Sequence, residues 1–199
     1  MRKFSWLLAI TIVCTASAAK ADNDWYFKPY GGIDYQHVGV DYKNVIPSIS
    51  TSSVLNDSLN GFDIHAGARV NKYLGGEIGY LWTGEAGKNN VLGTGLNTTT
   101  QVTGWTFDAL GYLPVTSDQK LELIATAGLT DLSADLKLNG AGGHASVSES
   151  EVGGRFGGGA QYWITDHVNG RVLVRYQTAD FNGIANDAVE VNAGLNYQF

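Results

Sequence analysis

Few residues in this chain could do acid–base or nucleophilic chemistry. There are four histidines, His37, His65, His144 and His167, and a single cysteine, Cys14. A covalent catalyst needs a hydroxyl or thiol activated by a neighbouring base. None of the four histidines comes with an evident serine and carboxylate set. Two glycine clusters, Gly93-Thr94-Gly95 and Gly140-Ala141-Gly142-Gly143, lack the helix that would complete a phosphate cradle. No metal or cofactor is expected.

A second set of residues has a different chemistry. Lys28, Arg69, Arg155, Arg171 and Arg175, with Asp34, Asp63, Glu77, Asp108, Glu122 and Glu190, all lie on the polar side of stretches that alternate polar and apolar. His65 lies with them. Five cations against six anions on a shared face can neutralise one another, and charges removed from water must do so.

The elements that must carry these charges are strands, because side chains two apart in a strand share a face. Eight segments alternate: 25–36, 62–70, 73–83, 104–113, 120–130, 155–164, 170–177 and 188–199. In the last, Val189, Val191, Ala193, Leu195, Tyr197 and Phe199 oppose Glu190, Asn192, Gly194, Asn196 and Gln198. The eight apolar faces carry no charged residue. The connections alternate long and short: 37–59, 71–72, 84–100, 114–119, 139–150, 165–169 and 178–187. Residues 132–138 also alternate and could prolong a hairpin. Each segment is close to the roughly 9–11 residues that a tilted strand needs to cross a bilayer. Long outer loops and short inner turns are the asymmetry of an outer-membrane barrel.

Periodicity does not say which face turns inward. A soluble ligand-binding barrel would bury the apolar one. Here the apolar-face aromatics gather at strand ends: Tyr35, Phe62, Trp82, Trp105, Phe156 and Tyr176 towards the long loops, and Phe27, Tyr162, Tyr197 and Phe199 towards the turns. Two such girdles mark membrane interfaces, whereas a ligand cavity needs aromatics at its middle. The expected fold is all-β: an eight-stranded antiparallel up-and-down transmembrane β-barrel with the charges in a packed lumen. Arg175 and Glu190 are the first candidate pair, and 188–199 is expected to close the barrel against 25–36.

Residues 1–21 read as a secretory signal peptide, with a basic tip, a short apolar run and Ala19-Lys20-Ala21 before the cut; a cut after Ala18 is the other option. The barrel domain is then 22–199. Removing the leader takes Arg2, Lys3 and Lys20 and no acid, leaving ten basic residues against 19 acidic ones. That balance argues against a nucleic-acid partner. Beyond the leader, no stretch approaches the roughly 18 apolar residues of a membrane helix.

Trp25-Tyr26-Phe27-Lys28-Pro29-Tyr30-Gly31-Gly32, Gly61-Phe62-Asp63-Ile64-His65-Ala66-Gly67-Ala68, Phe156-Gly157-Gly158-Gly159-Ala160-Gln161-Tyr162 and Gly194-Leu195-Asn196-Tyr197-Gln198-Phe199 resemble the small eight-stranded outer-membrane barrels of Gram-negative bacteria. These include the OmpA transmembrane domain, OmpX/Ail-type proteins and the wider "porin family". The resemblance implies residence in outer-membrane lipid as a monomer. It also implies delivery by the barrel-assembly machinery, which would read Tyr197 and Phe199 as its signal. The implied role is structural or surface-interacting, in envelope integrity, adhesion or immune evasion, with host or envelope ligands at four long loops. A narrow channel for small solutes is the alternative, if the lumen glycines Gly32, Gly67, Gly75, Gly79, Gly128, Gly157 and Gly159 leave space. An enzyme acting on outer-membrane lipid is a third reading, but no residue set supports it.

Overall fold

Period-two alternation makes every segment two-faced, and a two-faced strand must hide both its apolar side and its backbone edges. The computed structural model describes residues 25–42, 58–91, 95–140, 143–178 and 185–199. The expected leader lies outside the described residues. The strands are β1 (Lys28–Tyr42), β2 (Ser58–Arg69), β3 (Leu74–Thr83), β4 (Ala86–Val91), β5 (Leu96–Pro114), β6 (Leu121–Gly140), β7 (Gly143–Trp163), β8 (Val168–Thr178) and β9 (Ala185–Gln198).

All pairings are antiparallel. β3 pairs with the inner part of β5, and β4 with its outer part, so β3 and β4 share one stave. β9 pairs with β1 from Gln198 opposite Tyr30 to Ala185 opposite Tyr42. The sheet is therefore a closed barrel of eight staves. Closure matters because hydrocarbon offers no partner to an unpaired N–H or C=O.

Burial is inverted relative to a soluble protein. On β9, Glu190, Asn192, Asn196 and Gln198 are buried, while Val189, Val191, Leu195 and Tyr197 are between 42% and 55% exposed. The same inversion runs through β2, where Asp63 and His65 are buried and Phe62 and Ile64 are exposed. The exposed apolar faces form the band that lipid covers. At its outer edge Tyr35 meets Phe62 edge-on and Phe156 lies against Tyr176.

The inner turns are tied by side chains. Asn71 Oδ1 accepts from the N–H groups of Tyr73 and Leu74 at 2.7 and 2.8 Å. Thr165 Oγ1 accepts from those of His167 and Val168, and Thr116 Oγ1 from that of Leu121. Short polar side chains offer the backbone these local bonds readily.

Two expectations need correction at the outer end. The connection 84–100 contains β4 and the start of β5, and the connection 139–150 is mostly strand, with β6 reaching Gly140 and β7 starting at Gly143. At 19, 20 and 21 residues, β5, β6 and β7 are about twice the length a crossing requires. Their outer halves stay in register, Thr98 with Leu138 and Leu136 with Val147. The alternation of 132–138 does prolong the hairpin, as β6, and a ladder needs only backbone partners, so β5 and β7 continue where hydropathy no longer alternates.

The lumen glycines are not open space either. Gly67 and Gly75 admit the rings of Tyr30 and Tyr112, Gly79 admits Asp63 and Thr106, and Gly32 admits Asn196 and His65. A Cβ on Gly128 would collide with the Phe107 carbonyl and the Asp108 carboxylate, whereas one on lipid-facing Gly76 would meet the Asp108 carbonyl at an ordinary 3.8 Å. Gly128→Ala should therefore destabilise the refolded barrel by about 1–3 kcal/mol, and Gly76→Ala by no more than about 0.5 kcal/mol. Urea-unfolding midpoints in lipid vesicles check both, and equal midpoints would contradict the packed lumen.

Candidate functional site in the barrel lumen

The inward-facing charges assemble around three guanidinium groups. Arg171, on β8, sends Nε and Nη2 to Asp34 of β1 at 2.6–3.1 Å. Its Nη1 and Nη2 donate to Glu77 of β3 at 2.7 and 3.1 Å. β8 and β3 are four staves apart in a ring of eight, so this side chain ties opposite walls together. The Tyr30 hydroxyl adds a third donor to Glu77, at 3.0 Å.

His65 lies beside this group, with Nδ1 3.2 Å from Arg171 Nη2 and Nε2 2.5 Å from Asn196 Oδ1. Asn196 in turn donates to Asn169. With one ring nitrogen facing a guanidinium donor and the other a carbonyl oxygen, the imidazole serves as a hydrogen-bond bridge.

Arg155, on β7, holds Asp108 by two bonds, Nε to Oδ1 at 2.9 Å and Nη2 to Oδ2. Its Nη1 lies 3.7 Å from Glu190 and 3.9 Å from Asp63. Near the inner end, Arg69 donates to Glu122 at 2.6 Å while stacking 3.8 Å from the centre of the Tyr112 ring. Glu122 also accepts from Gln161 and from Trp163 Nε1.

Arg175 and Glu190 are cross-strand partners, yet their closest approach is 4.0 Å, and Glu190 is nearer to Arg155. Lys28 departs from the expected set. It is exposed at the inner end of β1, with its ammonium 5.0 Å from the centre of the Tyr26 ring. Its parity is that of the lumen, but its height is beyond the lumen's end. Among the described residues the buried charges are thus four arginines and six carboxylates, with His65.

Tyr30, Tyr112, Gln161, Trp163 and Asn196 belong to the network although the charge pattern did not single them out. They share lumen parity with charged neighbours, which is the signal that finds them. Val38 and Leu59 share it too, but lie in the stretch read as a long polar loop. The other histidines have local partners: His37 with Asn60, His144 with Asn139, and His167 with the Gln198 carbonyl and the Tyr197 ring. Outside the membrane, the Glu85 carboxylate 2.9 Å from Lys137 holds that ammonium above its ordinary pKa.

A closed eight-stave barrel with an apolar outside and a charged inside is the architecture of small outer-membrane proteins. The outer membrane protein beta-barrel domain family matches residues 6–199. The chain belongs to that family. Its place is the outer membrane. It is 29% identical over 212 residues to outer membrane protein A of Shigella flexneri, covering 100% of this chain and 56% of that protein. The chain thus spans about half the length of the curated relatives it matches. Among solved structures it is similar to Neisserial surface protein A, with a TM-score of 0.62, 18% identity and coverage of 86% and 97%. It is also similar to Ail of Yersinia pestis, with a TM-score of 0.60, 15% identity and coverage of 86% and 98%. Ail has been solved in complex with the heparin analogue sucrose octasulfate as well. At these identities the structural likeness concerns the fold.

Breaking a buried pair costs far more than a surface change, because it strands the remaining charge. Arg171→Ala leaves both Asp34 and Glu77 without their main cation and should lower stability by about 3–5 kcal/mol. Lys28→Ala should change it by no more than about 0.5 kcal/mol. Equilibrium unfolding in vesicles measures both, and a native-like Arg171→Ala barrel would refute the cross-wall role.

Proposed function

We propose that this protein is a non-enzymatic, non-conducting outer-membrane barrel whose role lies at the cell surface, in adhesion, immune evasion or envelope integrity. The observation that carries this reading is the outward continuation of β5, β6 and β7. Their outer halves form an ordered sheet well beyond the lipid band, and the residues of β7 from Gly143 to Ser150 are all exposed. An ordered projection is a surface on which a partner can be recognised. The lumen, by contrast, is blocked at its inner end, where Arg69 is stacked on Tyr112 and bonded to Glu122.

The chemistry of the projection narrows the partner. Its described charges are Glu85, Asp131, Asp135, Glu149, Glu151 and Asp187 against Lys88 and Lys137, and Lys137 is paired with Glu85. Ser133, Ser146, Ser148 and Ser150 add hydroxyls. A sulfated polyanion of the kind bound by Ail would meet mostly like charge here. The surface suits a neutral or basic partner.

Replacing residues 133–150 by a two-residue Asn-Gly turn should leave barrel assembly intact, judged by heat-modifiable gel mobility. It should reduce host-cell adherence or serum survival to the level of a strain lacking the gene. Full surface activity in the trimmed protein would overturn the reading.

Tyr197 and Phe199 fit a role in delivery. Phe199 is 73% exposed, meets Tyr197 edge-on, and its backbone N–H donates to the Pro29 carbonyl. A ring so exposed contributes little to folded packing. Deleting Phe199 should cut the amount inserted in cells by a larger factor than it lowers the yield of barrel refolded in vesicles. Unchanged outer-membrane levels would remove it from the assembly signal.

A further inference from the structure

We propose that Val38, Leu59, Leu81 and Leu132 form an apolar collar that seals the outer end of a hydrated chamber inside the barrel. The four residues face the lumen from β1, β2, β3 and β6, and they are 8%, 2%, 2% and 4% exposed. They stand where the lumen parity of each stave turns from polar to apolar: Asp34 and Gln36 precede Val38, Glu77 precedes Leu81, Thr126 and Thr130 precede Leu132, and Asp63 follows Leu59. Register places Val38 opposite Leu59, and Gly104 between Leu81 and Leu132. Gly104 leaves room for the collar, since a Cβ there would lie 2.8 Å from Leu132 Cδ2.

The four side chains, with Val40, Val102 and Ala188, wall most of a cavity of about 50 Å³, and Thr83, Gln177, Asp187 and Glu190 complete its lining. Water entering so small a cavity, with aliphatic side chains over most of its wall, finds few hydrogen-bond partners. Immediately inward the requirement reverses. The amides of Gln36 and Asn192, both Asp63 oxygens, Arg155 Nη1, all three Arg175 guanidinium nitrogens and Glu190 Oε2 are buried with no hydrogen-bond partner among the described residues. Buried polar atoms at that density are satisfied by water.

A wet chamber behind a largely aliphatic constriction is closed to ions, as hydrophobic constrictions are. Its effect on the protein is electrostatic. Salt from the outer medium cannot enter to screen the contacts among Arg155, Arg175, Asp63 and Glu190, whose separations of 3.7–4.0 Å leave room for bridging water.

The test uses the absence of cysteine from residues 22–199. Asn192→Cys places a single thiol in the chamber, and Ser148→Cys places one on the exposed part of β7. Each protein is refolded into lipid vesicles, checked by heat-modifiable mobility and treated with a small charged thiosulfonate. The Ser148→Cys thiol should react at once, whereas the Asn192→Cys thiol should stay unmodified until the barrel is unfolded. Adding Leu59→Ser, Leu81→Ser and Leu132→Ser should abolish that protection in the folded state. Leu132→Ser alone gives the same reading should the triple variant not refold. Modification with the collar intact would overturn the proposal, as would protection that survives its removal.

Discussion

The ion pairs that cross the lumen are what the rest of this barrel depends on. Backbone ladders close the wall, but they do not determine which face is inside. Arg171 does, because its guanidinium is held by Asp34 on one side and by Glu77 on the opposite wall. A one-residue slip of any stave would carry its lumen residues into lipid. An apolar lumen would be cheaper in desolvation, but it would leave two similar faces and no penalty for the wrong one. Neutral donors supplement the arginines at two of the six carboxylates. Glu77 accepts from Tyr30 as well as from arginine, and Glu122 from Gln161 and Trp163 as well as Arg69.

Parity made most of this legible from the amino-acid order. Eight two-faced segments, their polar faces and the closing of the last strand on the first could all be read from residues such as Val189 to Phe199. Height could not. Lys28 has the parity of Tyr30 and Asp34, yet it stands outside the inner end of the lumen. Partnership was also hidden: Arg175 is opposite Glu190 in register at 4.0 Å, whereas Arg171 bonds Glu77, 94 residues away and on the opposite wall, at 2.7 Å. Such contacts depend on barrel curvature and side-chain reach, and neither is written in a local pattern.

The outer rim was the least legible part, for a related reason. Within lipid, each stave must alternate because one face meets hydrocarbon and the other the lumen. Above the lipid, both faces of a ribbon can be wet, and the exposed Ser146 and Ser148 are then as acceptable as Leu or Val. The strands β5, β6 and β7 persist there on ladder bonds and β-compatible side chains. Outside the alternating run 132–138, composition read as loop, and backbone pairing overrode it.

The same argument ties the collar to the surface role proposed for the chain. A conducting barrel needs an unbroken line of water, and this lumen interrupts one in two ways. At the inner end Arg69 is stacked on Tyr112 and bonded to Glu122; at the outer end four aliphatic side chains converge. Between them the charges face each other, with salt kept away on this reading. An interior so committed to its own neutrality can hardly vary without unfolding the wall. The projecting sheet is under no such constraint, because its side chains bear neither on closure nor on charge balance. Change of function in a barrel of this kind is therefore confined by physics to the rim, where a substitution costs least and a partner can reach it.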